Sequence, residues 1–307
     1  MSIERQEQRN HKEKQDPDAL LLRDIADPER APRTKAGALL GRLYEHEAPE
    51  KLAFALFGGQ AKIENVHQAR EALEKTESVM RDDTKKMEKS GVEPKKLLQG
   101  FKLEERHALS RALERHFNPV EREPKNKEER NALDLEKAVR TKFESRLSKS
   151  QDDHSFDLDK IRLQTFVLLK HDEAREVQNT IVAIEQQKMD GYGDVVTAIR
   201  RAREVQQTNG GVLGREITAV MKRRDLSSAE RTLELAQILT AEEMRPQDKL
   251  LQETVSVVDA QREFFMTLNA KTKEARVRVQ DIEHAIERAR AESMDFESPE
   301  KGAEEAA

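Results

Sequence analysis

Apolar residues recur every three or four positions along most of the chain, which is the spacing of helices that bury one face. No segment shows a convincing alternation of apolar and polar residues of the kind that a half-buried strand requires. The pattern therefore predicts an all-α protein. In the first half, the helices are predicted at residues 36–47, 49–57, 60–89, 94–98 and 103–117.

The longest apolar stripes lie in the C-terminal half. Residues 157–189 place apolar side chains at spacings of three, four or seven, which is typical of a coiled-coil seam. The last helix is predicted to run from Pro246 to about Ala291 and carries a similar stripe. The stripes predict an elongated helical bundle with long coiled-coil-like helices in the C-terminal half.

Glycines predict where these helices end. Gly191 and Gly193 predict a break after residue 189, followed by two shorter helices at 194–207 and 212–224. Ser227 and Glu230 have the spacing of a capping box, which predicts a further helix over 228–244.

Prolines and charge runs divide the chain into five predicted parts. Residues 1–34 are predicted to be mostly disordered, with a short docking segment at 20–25, and residues 35–118 form a small N-terminal helical region. Residues 119–130 read as a charged linker with two prolines. Residues 131–294 form the C-terminal bundle with long helices, and 295–307 form a disordered acidic tail.

Composition supports helices and restricts the chemistry. Charged residues make up 37% of the 307 positions and hydrophobic residues 36%, whereas ordinary domains have about 25% and about 45–50%. One apolar stripe per helix needs less core than a sheet does. The lack of cysteine excludes disulfides, thiolate metal sites and a cysteine nucleophile. No apolar window of about 20 residues predicts a membrane span, and we expect a soluble, cytoplasmic protein.

The stretch QTNGGVLGREI, residues 207–217, contains three of the 12 glycines and raises the possibility of a phosphate loop. A Walker loop would require a lysine followed by a hydroxyl residue after its last glycine, but Gly214 is followed by Arg215 and Glu216. A helix rather than a buried strand precedes the stretch, which argues against a dinucleotide fingerprint. We interpret it as the corner between two helices.

Basic residues surround this corner. Residues 199–224 contain seven basic and two acidic side chains, a net charge of +5. The basic residues are Arg200, Arg201, Arg203, Arg215, Lys222, Arg223 and Arg224. Two short helices joined by glycines resemble the outline of a helix-turn-helix, in which Arg215, Lys222 and Arg223 would face solvent and contact phosphates.

Three observations weigh against nucleic-acid binding at this corner. The second helix has no Asn or Gln to read adenine, and Tyr192 is the one aromatic residue nearby. Basic residues at a helix end also complement the helix dipole, and the acidic C-terminal residues could pair with them. Outside residues 292–307, which carry six acidic residues and one lysine, the chain is neutral.

Metal binding and catalysis have weaker signals. Glu64 with His67, and Glu104 with His107, have the spacing used in di-iron helical bundles, as has Asp281 with His284. Such pairs are expected by chance in so acidic a chain. The neighbours His171, Asp172 and Glu173 point in different directions on a helix and cannot form a relay. We predict no catalytic residue, no cofactor and no metal.

The sequence favours an intracellular helical interaction or scaffold protein without a catalytic site, which contacts itself or a protein partner through its helices. The first alternative is a nucleic-acid-binding protein that uses the basic corner. The second is an enzyme built on a metal-binding helical bundle.

Overall fold

A computed structural model describes residues 17–45, 48–57, 60–89, 93–117, 124–151, 157–208, 212–240 and 246–295. Over these residues the chain forms eleven α-helices and no strand, so the predicted all-α fold is confirmed. The helices are α1 (Pro17–Ala26), α2 (Pro32–Tyr44), α3 (Pro49–Phe57), α4 (Ile63–Lys89), α5 (Pro94–Leu97), α6 (Leu103–Phe117), α7 (Lys127–Gln151), α8 (Leu158–Thr208), α9 (Val212–Lys222), α10 (Ser228–Ile238) and α11 (Pro246–Asp295).

Local sequence signals explain many of the helix starts. Helices α1, α2, α3, α5 and α11 each begin at a proline, whose fixed φ suits the first turn and whose missing N–H is not needed there. The predicted capping box starts α10: the Ser227 hydroxyl accepts a hydrogen bond from the Glu230 amide, and the Glu230 carboxylate accepts one from the Ser227 amide. Helix α10 ends at Ile238, earlier than the predicted residue 244.

The break predicted at Gly191 and Gly193 is wrong, because α8 continues through both glycines to Thr208. A glycine inside a helix costs about 1 kcal/mol relative to alanine, which a helix of 51 residues tolerates. A Cβ atom at Gly191 would lie 2.5 Å from the side-chain oxygen of Gln261 on α11, so the end of that flexible side chain would have to shift. The coiled-coil character of α8 and α11 stays a prediction.

The helices belong to two compact units. Unit 1 comprises the described residues of Met1–Asn65 and Ile184–Lys271, and unit 2 those of Val66–Ala183 and Thr272–Ala307. The predicted division of the chain, with a linker at 119–130, stays a prediction; residues 119–123 lie outside the described residues, and α7 begins at Lys127 and packs against α6. Residues 1–16 and 296–307 lie outside the described residues, so their predicted disorder stays a prediction.

Helix α2 is at the centre of unit 1. Nine of its 13 residues are buried, and α1, α9 and α10 pack around it. Ile25 of α1 is fully buried in this core, and Leu22 packs against it, so the predicted docking segment does contact the rest of the protein. Helices α3, α8 and α11 complete the core with Leu52, Ile199 and Phe265.

Unit 2 has two apolar clusters. One joins α6, α7 and α8 around the fully buried rings of Phe143 and Phe166. The other joins α4, α8 and α11 through smaller side chains. Charged residues are buried as well: Glu136 of α7 lies 2.9 Å from Arg111 and 2.9 Å from Arg115, both on α6.

Candidate functional site

The glycine corner lies between two helices of unit 1. Helix α8 ends at Thr208 and α9 begins at Val212, while Asn209, Gly210 and Gly211 lie outside the described residues. Gly214 is inside α9, where a Cβ atom would lie 3.3 Å from the Tyr44 hydroxyl oxygen. This glycine therefore allows α9 to approach α2, and its position does not support a role in a phosphate loop.

Helix α9 presents the two faces that the sequence predicts. Ile217 and Val220 are buried and Met221 is partly buried against the unit 1 core. Arg215 and Lys222, seven residues apart and so on one face, are exposed. The apolar face holds α9 in place, which leaves the basic face open to solvent.

Three acidic side chains outside the basic segment neutralise part of its charge. Arg200 forms a hydrogen-bonded ion pair with Glu50 of α3. This hydrogen bond lowers the pKa of Glu50 below its ordinary value, and the charge of Arg203 acts in the same direction. Because both partners are exposed, the pair contributes little to stability.

Arg223 is held by two further carboxylates. Its guanidinium lies 2.8 Å from Asp225 and 2.9 Å from Glu234 of α10. The hydrogen bond to Asp225 contributes most to raising the pKa of Arg223, and it lowers the pKa of Asp225. Arg223 therefore connects the turn after α9 to α10, and its charge is already compensated.

Four of the seven predicted anion contacts are left uncompensated. Arg201, Arg215, Lys222 and Arg224 are exposed and form no ion pair with any other described residue. The structure thus places the seven residues in one unit but divides them into paired and unpaired sets. Sequence reasoning missed the pairing of Arg200 because Glu50 is 150 positions away, whereas the partners of Arg223 are only two and 11 positions away and were overlooked.

The three candidate metal pairs do not become complete metal sites. Within the described part of the chain, no group of three or more His, Asp or Glu side chains is placed to hold a metal ion. Glu64 and His67 are exposed on α4. His107 lies 3.3 Å from Glu176 of α8, and Asp281 and His284 line an open depression with other side chains of α11 alone.

A buried charge cluster in unit 2 joins three helices. The His171 Nε2 atom on α8 lies 2.8 Å from the Asp83 Oδ2 atom on α4, and Arg290 of α11 donates to the same oxygen. Asp83 and His171 are both buried. An ionised carboxylate only accepts hydrogen bonds, so His171 carries a proton on Nε2.

Burial and charge have opposite effects on the pKa of Asp83. Burial of the carboxyl group raises this pKa, but the hydrogen bond from His171 and the charge and hydrogen bond of Arg290 outweigh burial. The pKa of Asp83 therefore lies below its ordinary value. The cluster keeps a carboxylate ionised between α4, α8 and α11.

The pKa of Asp172, the neighbour of His171, is shifted in the opposite direction to that of Asp83. Burial raises the pKa of Asp172 above its ordinary value, although Arg175 and Arg106 partly offset this effect. His171 contacts Asp83, whereas Asp172 lies 3.4 Å from Arg175 and 4.0 Å from Arg106. The expectation that adjacent helical residues point in different directions thus agrees with the geometry.

Sequence reasoning did not find the Asp83–His171 pair. The two residues are 88 positions apart, and Asp83 lies in one of the most polar helices of the chain. One signal was available: Asp83 precedes Met87 by four residues, so a carboxylate and an apolar residue share one face of α4.

Comparison of the chain with protein-family models, curated proteins and solved structures gives no match. Among the described helices, none combines the length and apolar character that crossing a membrane requires.

Proposed function

We propose that the protein binds another protein through helix–helix contacts, and that apolar side chains exposed on unit 1 form the contact surface. The supporting observation is the exposure of Phe54 on α3 and of Phe264 and Met266 on α11. Their exposed fractions are 56%, 39% and 62%. The chain has only 12 aromatic residues, and two of its ten phenylalanines are exposed in this unit.

These three side chains are close in the sequence to the members of a buried aromatic pair. The rings of Phe57 and Phe265 are buried with their centroids 5.0 Å apart. Phe54 lies one helical turn before Phe57, and Phe264 and Met266 are the immediate neighbours of Phe265. Because the buried pair fixes the backbones of α3 and α11, little backbone entropy is lost when a partner binds the exposed side chains.

Their chemistry suits a protein interface. Phenylalanine and methionine are enriched at the centres of protein interfaces, where a few large side chains contribute most of the binding energy. The Glu50–Arg200 ion pair adds polar groups beside α3, as the rim of such an interface requires. We place this activity in the cytoplasm and propose that either a second copy of the chain or another helical protein is the partner.

Sedimentation equilibrium of the full chain tests the self-association branch. We expect concentration-dependent dimerisation in the micromolar range and its loss in the double variant Phe54→Ser with Met266→Ser. Leu233→Ser is the matched control, because Leu233 is also in unit 1 and is 54% exposed. Dimerisation that persists in the double variant would contradict the proposed surface.

Affinity purification tests the branch with a different partner. Proteins that the wild type and Leu233→Ser retain, and that the double variant loses, are the expected partners. A monomeric wild type that retains the same proteins as the double variant would refute the proposal.

The four uncompensated basic residues favour a second candidate function, nucleic-acid binding at the α8–α9 corner. Phosphate contacts give a steep decrease of affinity with salt concentration. We expect Arg215→Glu with Lys222→Glu to abolish binding of random duplex DNA at low salt. Arg70→Glu on α4, also exposed, is the control. Duplex binding that is absent in the wild type, or unchanged in the double variant, would exclude this function.

A further inference from the structure

Helix α4 is long but weakly anchored. It has 27 residues, of which four are buried: Val66, Ala69, Asp83 and Met87. Between Ala69 and Asp83, almost four helical turns apart, no side chain is buried, although Met80 is partly buried against the cluster around Phe143 and Phe166. Most of the stability of helices in proteins comes from packing of an apolar face, and α4 has little of it.

The surface beneath α4 in unit 2 is much more apolar than α4 itself. Helix α8 contributes Val167, Ala174, Val177 and Ile181, and α11 contributes Val279, Ile282 and Ile286. Helix α4 adds only Ala69 and Met87 to this cluster. These seven side chains are already buried, so a more apolar helix in the place of α4 would gain by burying more of its own apolar area.

Asp83 provides the specific contact that holds α4. Its carboxylate accepts hydrogen bonds from His171 of α8 and Arg290 of α11, and Lys86 lies 3.6 Å from its second oxygen. Hydrogen bonds to charged groups are stronger than neutral ones. Without α4, His171 and Arg290 would both lose the carboxylate of Asp83.

We propose that α4 is a displaceable cover, and that the α8–α11 surface beneath it binds an amphipathic helix of a protein partner. That helix carries a carboxylate to pair with His171 and Arg290, followed one turn later by an apolar residue, as Met87 follows Asp83. The inference that the ligand is a protein helix rests on the proposed protein-binding function. The surface differs from that around Phe54 and Met266, so the two proposals can fail separately.

Native-state hydrogen exchange of the full chain tests whether α4 opens by itself. We expect amides of residues 70–89 to exchange through a partial opening, while amides of 166–181 on α8 exchange only on global unfolding. Asp83→Asn should accelerate exchange of residues 70–89 by about tenfold, because a charged hydrogen-bond acceptor is lost. Asp82→Asn, an exposed neighbour on the same helix, is the control and should change nothing.

Binding of a labelled peptide of residues 63–89 to the full chain tests the surface. The peptide should bind the Asp83→Asn protein about tenfold more tightly than the wild type. In this variant the protein's own α4 is held less tightly on the α8–α11 surface, so the peptide, which retains Asp83, displaces it more easily. Arg290→Glu in the same protein should abolish binding. Unchanged protection of α2 amides in each variant shows that unit 1 remains folded.

Two results would overturn the inference. The first is exchange of residues 70–89 at the rate of global unfolding in the wild type. The second is equal peptide affinity for the wild type, Asp83→Asn and Arg290→Glu. The Phe54 and Met266 variants should leave peptide binding unchanged, which separates this test from that of the proposed function.

Discussion

Gly37 of α2 packs directly against the backbone of Ala236 on α10. A Cβ atom at Gly37 would lie 2.9 Å from the Ala236 amide nitrogen and 3.0 Å from the Thr232 carbonyl oxygen. Backbone atoms cannot move away as the end of a side chain can. The short distance between α2 and α10 therefore depends on the absence of a side chain at position 37.

Gly37→Ala should lower the free energy of unfolding by about 1–3 kcal/mol, the usual cost of overpacking a core. Urea denaturation with circular dichroism measures the change. Gly193→Ala is the matched control, because a Cβ atom there would have no neighbour within 4 Å. In the helix α8 this control should raise stability by about 0.5–1 kcal/mol. Equal effects of the two substitutions would contradict the packing argument.

The Lys35–Asp259 pair in unit 1 should respond differently to removal of each partner. The buried Lys35 ammonium lies 2.8 Å from both carboxylate oxygens of the partly exposed Asp259. Asp259→Ala leaves a buried ammonium without a partner and should cost about 2–3 kcal/mol, somewhat less than for a fully buried pair. Lys35→Met leaves a carboxylate that water can reach and should cost less than about 1 kcal/mol.

Urea denaturation of both single variants and the double variant measures this asymmetry. The double variant should be more stable than Asp259→Ala alone, because the unpaired ammonium is then absent. A larger loss for Lys35→Met than for Asp259→Ala would contradict the prediction.

Local signals were sufficient to predict most helices. Pro49 and Phe57 bound α3 as predicted, since proline starts the helix and two glycines follow it in the sequence. The first turn of α2 was missed because Pro32, Arg33 and Thr34 show no apolar periodicity. Gly191 was misread because α8 is held by packing of Val195 and Ile199 in the unit 1 core, and such tertiary packing overrides the low helix propensity of glycine.

The candidate sites were less predictable than the helices. Exposure of Arg215 and Lys222 follows from helical periodicity, so the sequence predicts it. The pairing of Arg200 with Glu50 joins residues 150 positions apart, and periodicity does not report such contacts. The Asp83–His171 pair could not be predicted either, because it depends on how α4 and α8 align.

Asp83 should make stability depend on pH in the acidic range. Its pKa is lowered in the folded protein, so its stabilising effect is present above the unfolded pKa of about 4 and is lost as pH falls through the folded pKa. Asp83→Asn should cost about 1–3 kcal/mol at pH 7. Denaturation at several pH values should show that this cost shrinks below about pH 4. A cost that is independent of pH would contradict the ionised state.

Asp172 should affect the pH dependence of stability in the opposite direction. Burial raises its pKa in the folded protein, so ionisation at neutral pH opposes folding, and protonation favours it below the unfolded pKa of about 4. Asp172→Asn should therefore raise stability at pH 7, on the order of 0.5 kcal/mol because the group is partly exposed. The gain should disappear at low pH. A loss of stability at pH 7 similar to that of Asp83→Asn would contradict the raised pKa of Asp172.

Arg146 should hold the turn between α5 and α6. Its guanidinium donates to the carbonyl oxygens of Leu97 and Gln99 and lies 4.8 Å from the ring centroid of Phe101. Arg146→Lys should cost about 1–2 kcal/mol, because a lysine cannot reproduce two directed hydrogen bonds and ring stacking. Hydrogen exchange of residues 97–101 should accelerate in this variant. Lys149→Arg, an exposed residue of the same helix, is the control, and equal exchange in both would contradict the role.

The buried carboxylate of Glu136 has a consequence for how α6 and α7 align. Arg111 and Arg115 lie one turn apart on α6, and each contacts one oxygen of Glu136. Sliding α7 by one turn would leave the buried carboxylate at least partly unpaired, at a cost of several kcal/mol. Apolar side chains alone would tolerate several alignments of two helices, as in coiled coils that lack a polar seam residue. These two ion pairs thus specify a single register of α7 against α6.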